Sequence, residues 1–203
     1  MLNRLRGAMQ RVLTPLATAL LRAGVSPDAV TITGTLAVVV TALWAFPTGH
    51  LFAGALVIGL FALTDSLDGV MARQSGRSGP WGAFLDSTLD RFGDGAIFAG
   101  LVVWFVGGGD DHLTAVLALA CLVLGSIVPY ARARAEGLGM TASGGIAERA
   151  DRLLVALLAA GAVGLGAPTV VLTVVLGLLA LASAVTVVQR MAKVHRQAVA
   201  VTE

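Results

Sequence analysis

Polar residues interrupt the apolar background of this chain only at long intervals, and the intervals have the length of a membrane span. Six predominantly apolar segments stand out, near residues 27–47, 51–74, 80–106, 112–137, 150–166 and 168–190. Roughly 20 apolar residues in helical conformation cross the hydrocarbon core of a bilayer, so each segment predicts a transmembrane helix, the fifth being the shortest. Residues 1–24 follow a different pattern. Arg4, Arg6, Arg11 and Arg22 are interspersed with Leu and Val, and no long apolar core develops. That predicts an amphipathic helix at the membrane surface rather than a cleaved signal. Gly24 and Pro27 break the chain before the first span. The expected architecture is an all-α integral membrane protein, with an amphipathic juxtamembrane helix over 1–24 and a six-helix transmembrane domain over 25–203.

Composition supports the membrane assignment. Charged residues make up 13% of the 203 positions, about half the roughly 25% of a soluble domain, and the mean hydropathy is +0.87. Glycine is abundant at 25 residues, which suits close helix packing in lipid. The single cysteine, Cys121, lies in an apolar run and excludes an internal disulfide framework. The basic pI of about 9.3 points to anionic lipid rather than nucleic acid, for which no module is present.

The distribution of charge sets the topology. In a six-span arrangement all 14 Lys and Arg residues fall on one side: four in the N-terminal helix, Arg73 and Arg77 in the second connection, and Arg91 early in the third span. Arg132, Arg134, Arg149 and Arg152 flank the fourth connection, and Arg190, Lys193 and Arg196 follow the last span. The opposite loops, 47–50, 107–111 and 161–168, hold none. The positive-inside rule then predicts a multi-pass cell-membrane protein with both termini on the cytoplasmic side.

Four of the twelve acidic residues are concentrated between positions 65 and 90. Asp65 and Asp68 are three apart and Asp86 and Asp90 four apart, so on helices each pair shares a face. Two such helices facing each other would bring four carboxylates to one point. Carboxylates so close in a low dielectric need a counter-charge, and an all-oxygen donor set favours a hard divalent ion, Mg²⁺, Mn²⁺ or Ca²⁺. Gly69, Ala72 and Gly82 keep these faces uncluttered, and Arg73 supplies a fork matched to phosphate oxygens. The set suits phosphoryl or phosphatidyl transfer, with one carboxylate acting as general base. A divalent-cation transporter is the alternative of another class. Its site would be expected near the bilayer midplane, whereas these aspartates lie close to the cytoplasmic edge.

The whole pattern, D-x2-D-G-x2-A-R-x8-G-x3-D-x3-D, stands here as DSLDGVMAR, QSGRSGPW and GAFLDSTLD. It resembles the signature of the CDP-alcohol phosphotransferase family without a departure inside the motif. The resemblance implies six transmembrane helices, cytoplasmic-side catalysis and a homodimer. It implies that Asp65, Asp68, Asp86 and Asp90 hold two divalent ions, Mg²⁺ or Mn²⁺, and that Asp90 is the base. It implies further that Gly69, Ala72, Arg73 and Gly82 line the nucleotide of a CDP-linked lipid, CDP-diacylglycerol. The stretch SPDAVT resembles the segment at the first span that helps hold the cytidine, through Asp28 and Thr31; both also suit a helix cap.

Cationic residues beyond the motif bear on the acceptor. Arg132, Arg134, Arg149, Arg152 and Arg190 exceed what a neutral alcohol needs and suit a phosphorylated polyol. The segments PYARARAE and ERADR, with Gln189-Arg190, look like those of the prokaryotic phosphatidylinositol phosphate synthases, whose acceptor is inositol 1-phosphate. That resemblance runs from the PDAVT segment to Gln189-Arg190 and implies that Arg132, Arg152 and Arg190 bind the acceptor phosphate. Arg132 stands where those proteins carry Lys, and Pro129 where they carry Ser. The phosphatidylglycerophosphate synthases, which use glycerol 3-phosphate, are the alternative. Arg134 and Arg149 equally suit anchoring to anionic lipid.

Other polar positions fit simpler roles. His50, His112 and His195 do not cluster. Asp94 lies one turn beyond Asp90 and suits a pair with Arg91 or Arg152. Asp110 and Asp111 adjoin three glycines and read as a solvated turn. Trp44, Trp81 and Trp104 fall near span ends, where amphipathic rings favour the interface.

Overall fold

The computed structural model describes residues 13–62, 64–76, 79–146 and 148–202, with the backbone alone described at 64–66, 201 and 202. Among the described residues every regular element is a helix. Helix α1 covers 13–22; it is followed by α2 (Pro27–Ala45), α3 (Leu51–Ala62), α4 (Thr64–Gln74) and α5 (Pro80–Val106). The order ends with α6 (His112–Glu136), α7 (Arg149–Gly164) and α8 (Val170–Thr202). Predicted segments 27–47, 80–106, 112–137 and 150–166 coincide with α2, α5, α6 and α7. Segment 51–74 is shared between α3 and α4, and segment 168–190 belongs to a helix that continues to Thr202. By length and composition, four described runs can cross a membrane: Pro27–Ala45, Leu51–Gln74, His112–Glu136 and Val170–Ala200. Helix α5 carries Asp86, Asp90, Arg91 and Asp94, and α7 has only 16 residues. Charge in one and length in the other separate them from those four.

Local chemistry explains the helix ends. After α1, Gly24 takes a φ of 81° while the N–H of Gly24 bonds Leu21 O and that of Val25 bonds Leu20 O, the glycine-closed C-terminus that spares the last carbonyls. The Ser26 hydroxyl accepts from Ala29 N–H at 3.2 Å, and Pro27 follows as the first residue of α2. Asp111 is more than part of a solvated turn. It is the N-cap of α6, accepting from the Thr114 hydroxyl at 2.6 Å and Thr114 N–H at 3.0 Å. That hydroxyl first, and the N–H after it, hold the Asp111 carboxyl below the usual carboxylate range.

The described chain separates into two compact units. One contains the residues up to Thr41 with Val57–Gly93; the other contains Ala42–Leu56 with the chain from Asp94 onward. In the first, Leu13, Ala17, Leu20 and Leu21 of α1 recur at helical spacing and pack with Leu67, Val70 and Met71 of α4. The apolar stripe predicted for residues 1–24 is therefore covered by protein where it is described; Arg4, Arg6 and Arg11 lie outside the described residues.

In the second unit α8 packs on α6 and α7. Leu172, Leu176, Ala180, Ser183, Thr186 and Arg190 form its buried stripe. The Cys121 thiol donates to Leu176 O at 3.2 Å, and the Thr114 and Thr173 hydroxyls meet at 2.6 Å. Gly164 is required for close approach, since a Cβ there would strike the backbone of Phe52. On the outside, Leu36, Val40 and Trp44 of α2, Val116 and Leu119 of α6, and Leu178 and Leu181 of α8 are exposed, as expected of helices that face lipid.

From Thr186 onward, α8 fastens the connection between α6 and α7. The Thr186 hydroxyl accepts from Ile146 N–H at 3.2 Å, and Arg190 Nε donates to Gly144 O at 3.2 Å. Lys193 Nζ donates to Ser143 O at 3.2 Å. Gln197 closes a two-way pair with the backbone of Thr141, at 2.9 and 2.7 Å. Positions 186, 190, 193 and 197 share one helix face, and their loop partners run back along it from Ile146 to Thr141.

Candidate functional site: an aspartate-motif cavity and an arginine cluster

In the first unit the two halves of the aspartate motif line one cavity of about 270 Å³. Asp68, Gly69, Ala72 and Arg73 come from one face of α4, and Gly82, Ala83 and Asp86 from the start of α5, with Gly79 just before it. Pro27, Asp28 and Thr31 close the wall from the start of α2. Asp68 is only 7% exposed, and the Thr31 hydroxyl lies 2.6 Å from its Oδ2, a short charge-assisted bond that steadies a buried carboxylate. A Cβ on Gly69 would sit 3.5 Å from Arg73 Nη1, so the guanidinium folds back over the glycine. A Cβ on Gly82 would enter open space; its absence widens the cavity. The cap of α2 is Ser26, which leaves Asp28 and Thr31 to the cavity. Asp28 Oδ2 accepts from Trp81 Nε1 at 2.9 Å, a bond between the first residues of α2 and α5.

Of the four predicted metal ligands, Asp68 and Asp86 line this cavity. Asp65 stands in the first turn of α4, and its side chain is outside the described residues. Asp90 is not among the lining residues; its Oδ2 lies 3.6 Å from Arg91 Nη2. Among the described residues no three His, Cys, Asp or Glu side chains form a group able to hold an ion. The donors that do meet, Asp68 and Asp86, are both carboxylates in a cavity floored by small residues, and this chemistry fits a hard divalent cation.

The predicted acceptor arginines lie in the second unit and differ sharply from one another. Arg152 is 1% exposed. Its Nη2 is 3.4 Å from Asp94 Oδ2 and 3.4 Å from Gly125 O. Arg149 Nε donates to the other oxygen of Asp94 at 3.0 Å, so one carboxylate joins two arginines. Arg190, also buried, donates to Gly144 O and to Val128 O. Arg132 has a side chain more than half exposed and pairs with Glu136 one turn on, at 2.8 Å, a contact of the kind that contributes about 0.3–0.5 kcal/mol. Arg190 lies within electrostatic reach of both Arg132 and Arg152.

Several contributors were not apparent in the sequence. The position of Trp81 at a span end suggests only a membrane interface, yet its indole N–H donates to Asp28. Asp94 finds Arg149 as well as Arg152. Pro129 lies inside α6 and has no N–H, so it cannot donate to Gly125 O four residues back. The signal was present as a proline four residues after a glycine within a helical pattern.

Comparison with known proteins identifies the family. Residues 24–150 match the family model for CDP-alcohol phosphatidyltransferase. The phosphatidylinositol phosphate synthase of Streptomyces avermitilis is 48% identical over 97% of this chain and 84% of its own length. That of Cutibacterium acnes is 49% identical over 97% of this chain and 98% of its own. Among solved structures, Mycobacterium tuberculosis phosphatidylinositol phosphate synthase with CDP-DAG bound superimposes with a TM-score of 0.88 at 45% identity, covering 91% of this chain and 94% of that one. The same enzyme in complex with manganese and citrate gives a TM-score of 0.87 at 45% identity, over 90% and 88% of the two chains. With the motif intact, its two halves at one cavity and relatives matched over nearly the whole length, the chain belongs to the CDP-alcohol phosphatidyltransferase family.

Proposed function

We propose that this protein transfers the phosphatidyl group of CDP-diacylglycerol to a hydroxyl of inositol 1-phosphate, giving phosphatidylinositol phosphate and CMP. The observation that carries the reading is the single cavity lined by Asp68, Gly69, Ala72 and Arg73 together with Gly82 and Asp86. Its small-residue floor admits a phosphate-bearing ligand close to the backbone, and Arg73 offers a planar fork to phosphate oxygens. Asp28 would accept a hydrogen bond from the amino group of a cytosine ring, the match of carboxylate to base amine. Divalent cations, Mg²⁺ or Mn²⁺, held by Asp65, Asp68, Asp86 and Asp90 would neutralise the pyrophosphate. Asp90 takes the proton of the acceptor hydroxyl. The oxygen then forms a bond to the lipid-side phosphorus while the bond from that phosphorus to the bridging oxygen breaks, and CMP leaves with that oxygen.

The acceptor assignment rests on Arg132, Arg152 and Arg190, together with the names of the relatives. Six spans, both termini and the cavity on the cytoplasmic side, and a homodimer complete the proposal; the one-sided distribution of Lys and Arg supports the orientation. The test is CMP release by the purified protein supplied with CDP-diacylglycerol and Mg²⁺, with inositol 1-phosphate and glycerol 3-phosphate offered separately. Release with inositol 1-phosphate alone is the expected result. Release with glycerol 3-phosphate alone would move the acceptor and keep the chemistry. Release with neither, alongside cation flux across liposomes, would favour the transporter alternative.

A further inference from the structure

Asp94 is a buried carboxylate with no part in the reaction as derived above. It lies one helical turn beyond Asp90 on α5, is 7% exposed, and gives one oxygen to each of two arginines from the start of α7. A guanidinium as buried as that of Arg152 needs a counter-charge and hydrogen-bond acceptors to stay charged and in place. The second acceptor comes from an unusual source. Gly125 O would ordinarily receive the N–H of residue 129, but that residue is proline. Gly125 also lacks the Cβ that would press on the guanidinium: a Cβ there would sit 3.4 Å from Cζ, Nε and Nη2 of Arg152. Proline, glycine and aspartate thus converge on one arginine.

We infer that Asp94 is a positioning residue for the acceptor phosphate. Its carboxylate, with the Gly125 carbonyl that Pro129 leaves without a helical donor, sets the position of Arg152 and draws Arg149 beside it. The inference rests on the proposal that Arg152 binds a phosphorylated acceptor. It concerns binding of that phosphate and not the chemical step.

The test compares wild type with Asp94→Asn and Pro129→Ala, measuring kcat, the KM for inositol 1-phosphate and the KM for CDP-diacylglycerol. Asp94→Asn is expected to raise the acceptor KM about tenfold, the loss of one charge-assisted hydrogen bond, with kcat and the donor KM within about twofold. Pro129→Ala returns a backbone donor to Gly125 O and removes an interior proline, so α6 is not weakened. It is nonetheless expected to raise the acceptor KM about threefold, the effect of one lost hydrogen bond. A role confined to stability predicts no kinetic change in Pro129→Ala, and that result would overturn the inference, as would equal rises in both KM values. If Asp94→Asn fails to fold, Pro129→Ala decides alone. If wild type turns over glycerol 3-phosphate instead, the same comparison is made with that acceptor. Wild type inactive with both would remove the acceptor reading and this inference together.

Discussion

The two candidate regions, the aspartate-motif cavity and the arginine cluster, are built on opposite plans. The cavity in the first unit is made by subtraction: Gly69, Ala72 and Gly82 clear space, and its charged groups other than Asp28 come from the consecutive helices α4 and α5. The arginine cluster in the second unit is made by addition. Arg152 and Arg190 are buried and held by carbonyls of Gly125, Val128 and Gly144 and by the carboxylate of Asp94. A site made of absences depends on backbone approach and tolerates little added volume. A site made of buried cations depends on every partner being present, because an unpaired charge in this setting is costly. The first plan suits a large ligand that brings its own pyrophosphate; the second suits a small anion whose place has to be prepared in advance.

Three substitutions separate these plans, in decreasing order of effect. Asp90→Asn removes the proposed base and is expected to lower kcat by about 10²–10⁴, the range of general acid–base contributions. Binding of CDP-diacylglycerol, read by its protection against thermal unfolding, should stay near wild type; a mutant with a near-normal rate would remove Asp90 from that role. Arg152→Lys keeps the charge that Asp94 requires and loses the fork. The acceptor KM should rise about 10–30-fold, in line with hydrogen bonds to charged groups, with little change in the donor KM. Equal changes in both would erase the distinction between the two regions. Trp81→Phe keeps the ring and deletes the N–H that Asp28 accepts at 2.9 Å. A rise of about threefold in the KM for CDP-diacylglycerol is expected from one neutral donor on a half-buried carboxylate, with the acceptor KM unchanged. Inhibition by CMP should weaken in parallel, and unaltered inhibition would reduce Trp81 to an interface residue.

The same contrast explains what could be read in the sequence. Asp68, Gly69, Ala72, Arg73, Gly82 and Asp86 follow helical spacing within 19 positions, so local periodicity alone brings the first four to one face and the last two to another. The arginine cluster draws on α5, α6, α7 and α8, and spacing within one helix says nothing about which helix lies alongside. The excess of arginines was evident; that Asp94 would join Arg149 to Arg152 depended on tertiary packing. Arg132, within electrostatic reach of Arg190, also forms an exposed pair with Glu136 because the two are one turn apart on the same helix. Trp81 has a second partner that its place in the sequence does not show. An aromatic at the end of an apolar run fits a membrane interface, and only the nearness of the α2 start reveals its second partner. The stripe of α1 was legible, but not its burial against α4. Hydropathy marked the apolar length of α8 but not its end, because Lys193, His195, Arg196 and Gln197 interrupt the apolar run while the helix continues to Thr202.

That extension of α8 has a bearing on how the protein can vary. Loops ordinarily accept insertions and deletions with little penalty. The connection between α6 and α7 is instead matched residue by residue to a rigid rail, with Ile146, Gly144, Ser143 and Thr141 each assigned to a rung that advances about 1.5 Å per residue along the helix. One residue added or lost between Thr141 and Ile146 would throw the remaining rungs out of step and pull the Gly144 carbonyl from Arg190. Gly145, at a φ of 144° and pressed against Thr186, leaves no slack to absorb the slip. The stretch from Thr141 to Ile146 is therefore expected to keep its length, with change confined to side chains that keep the count.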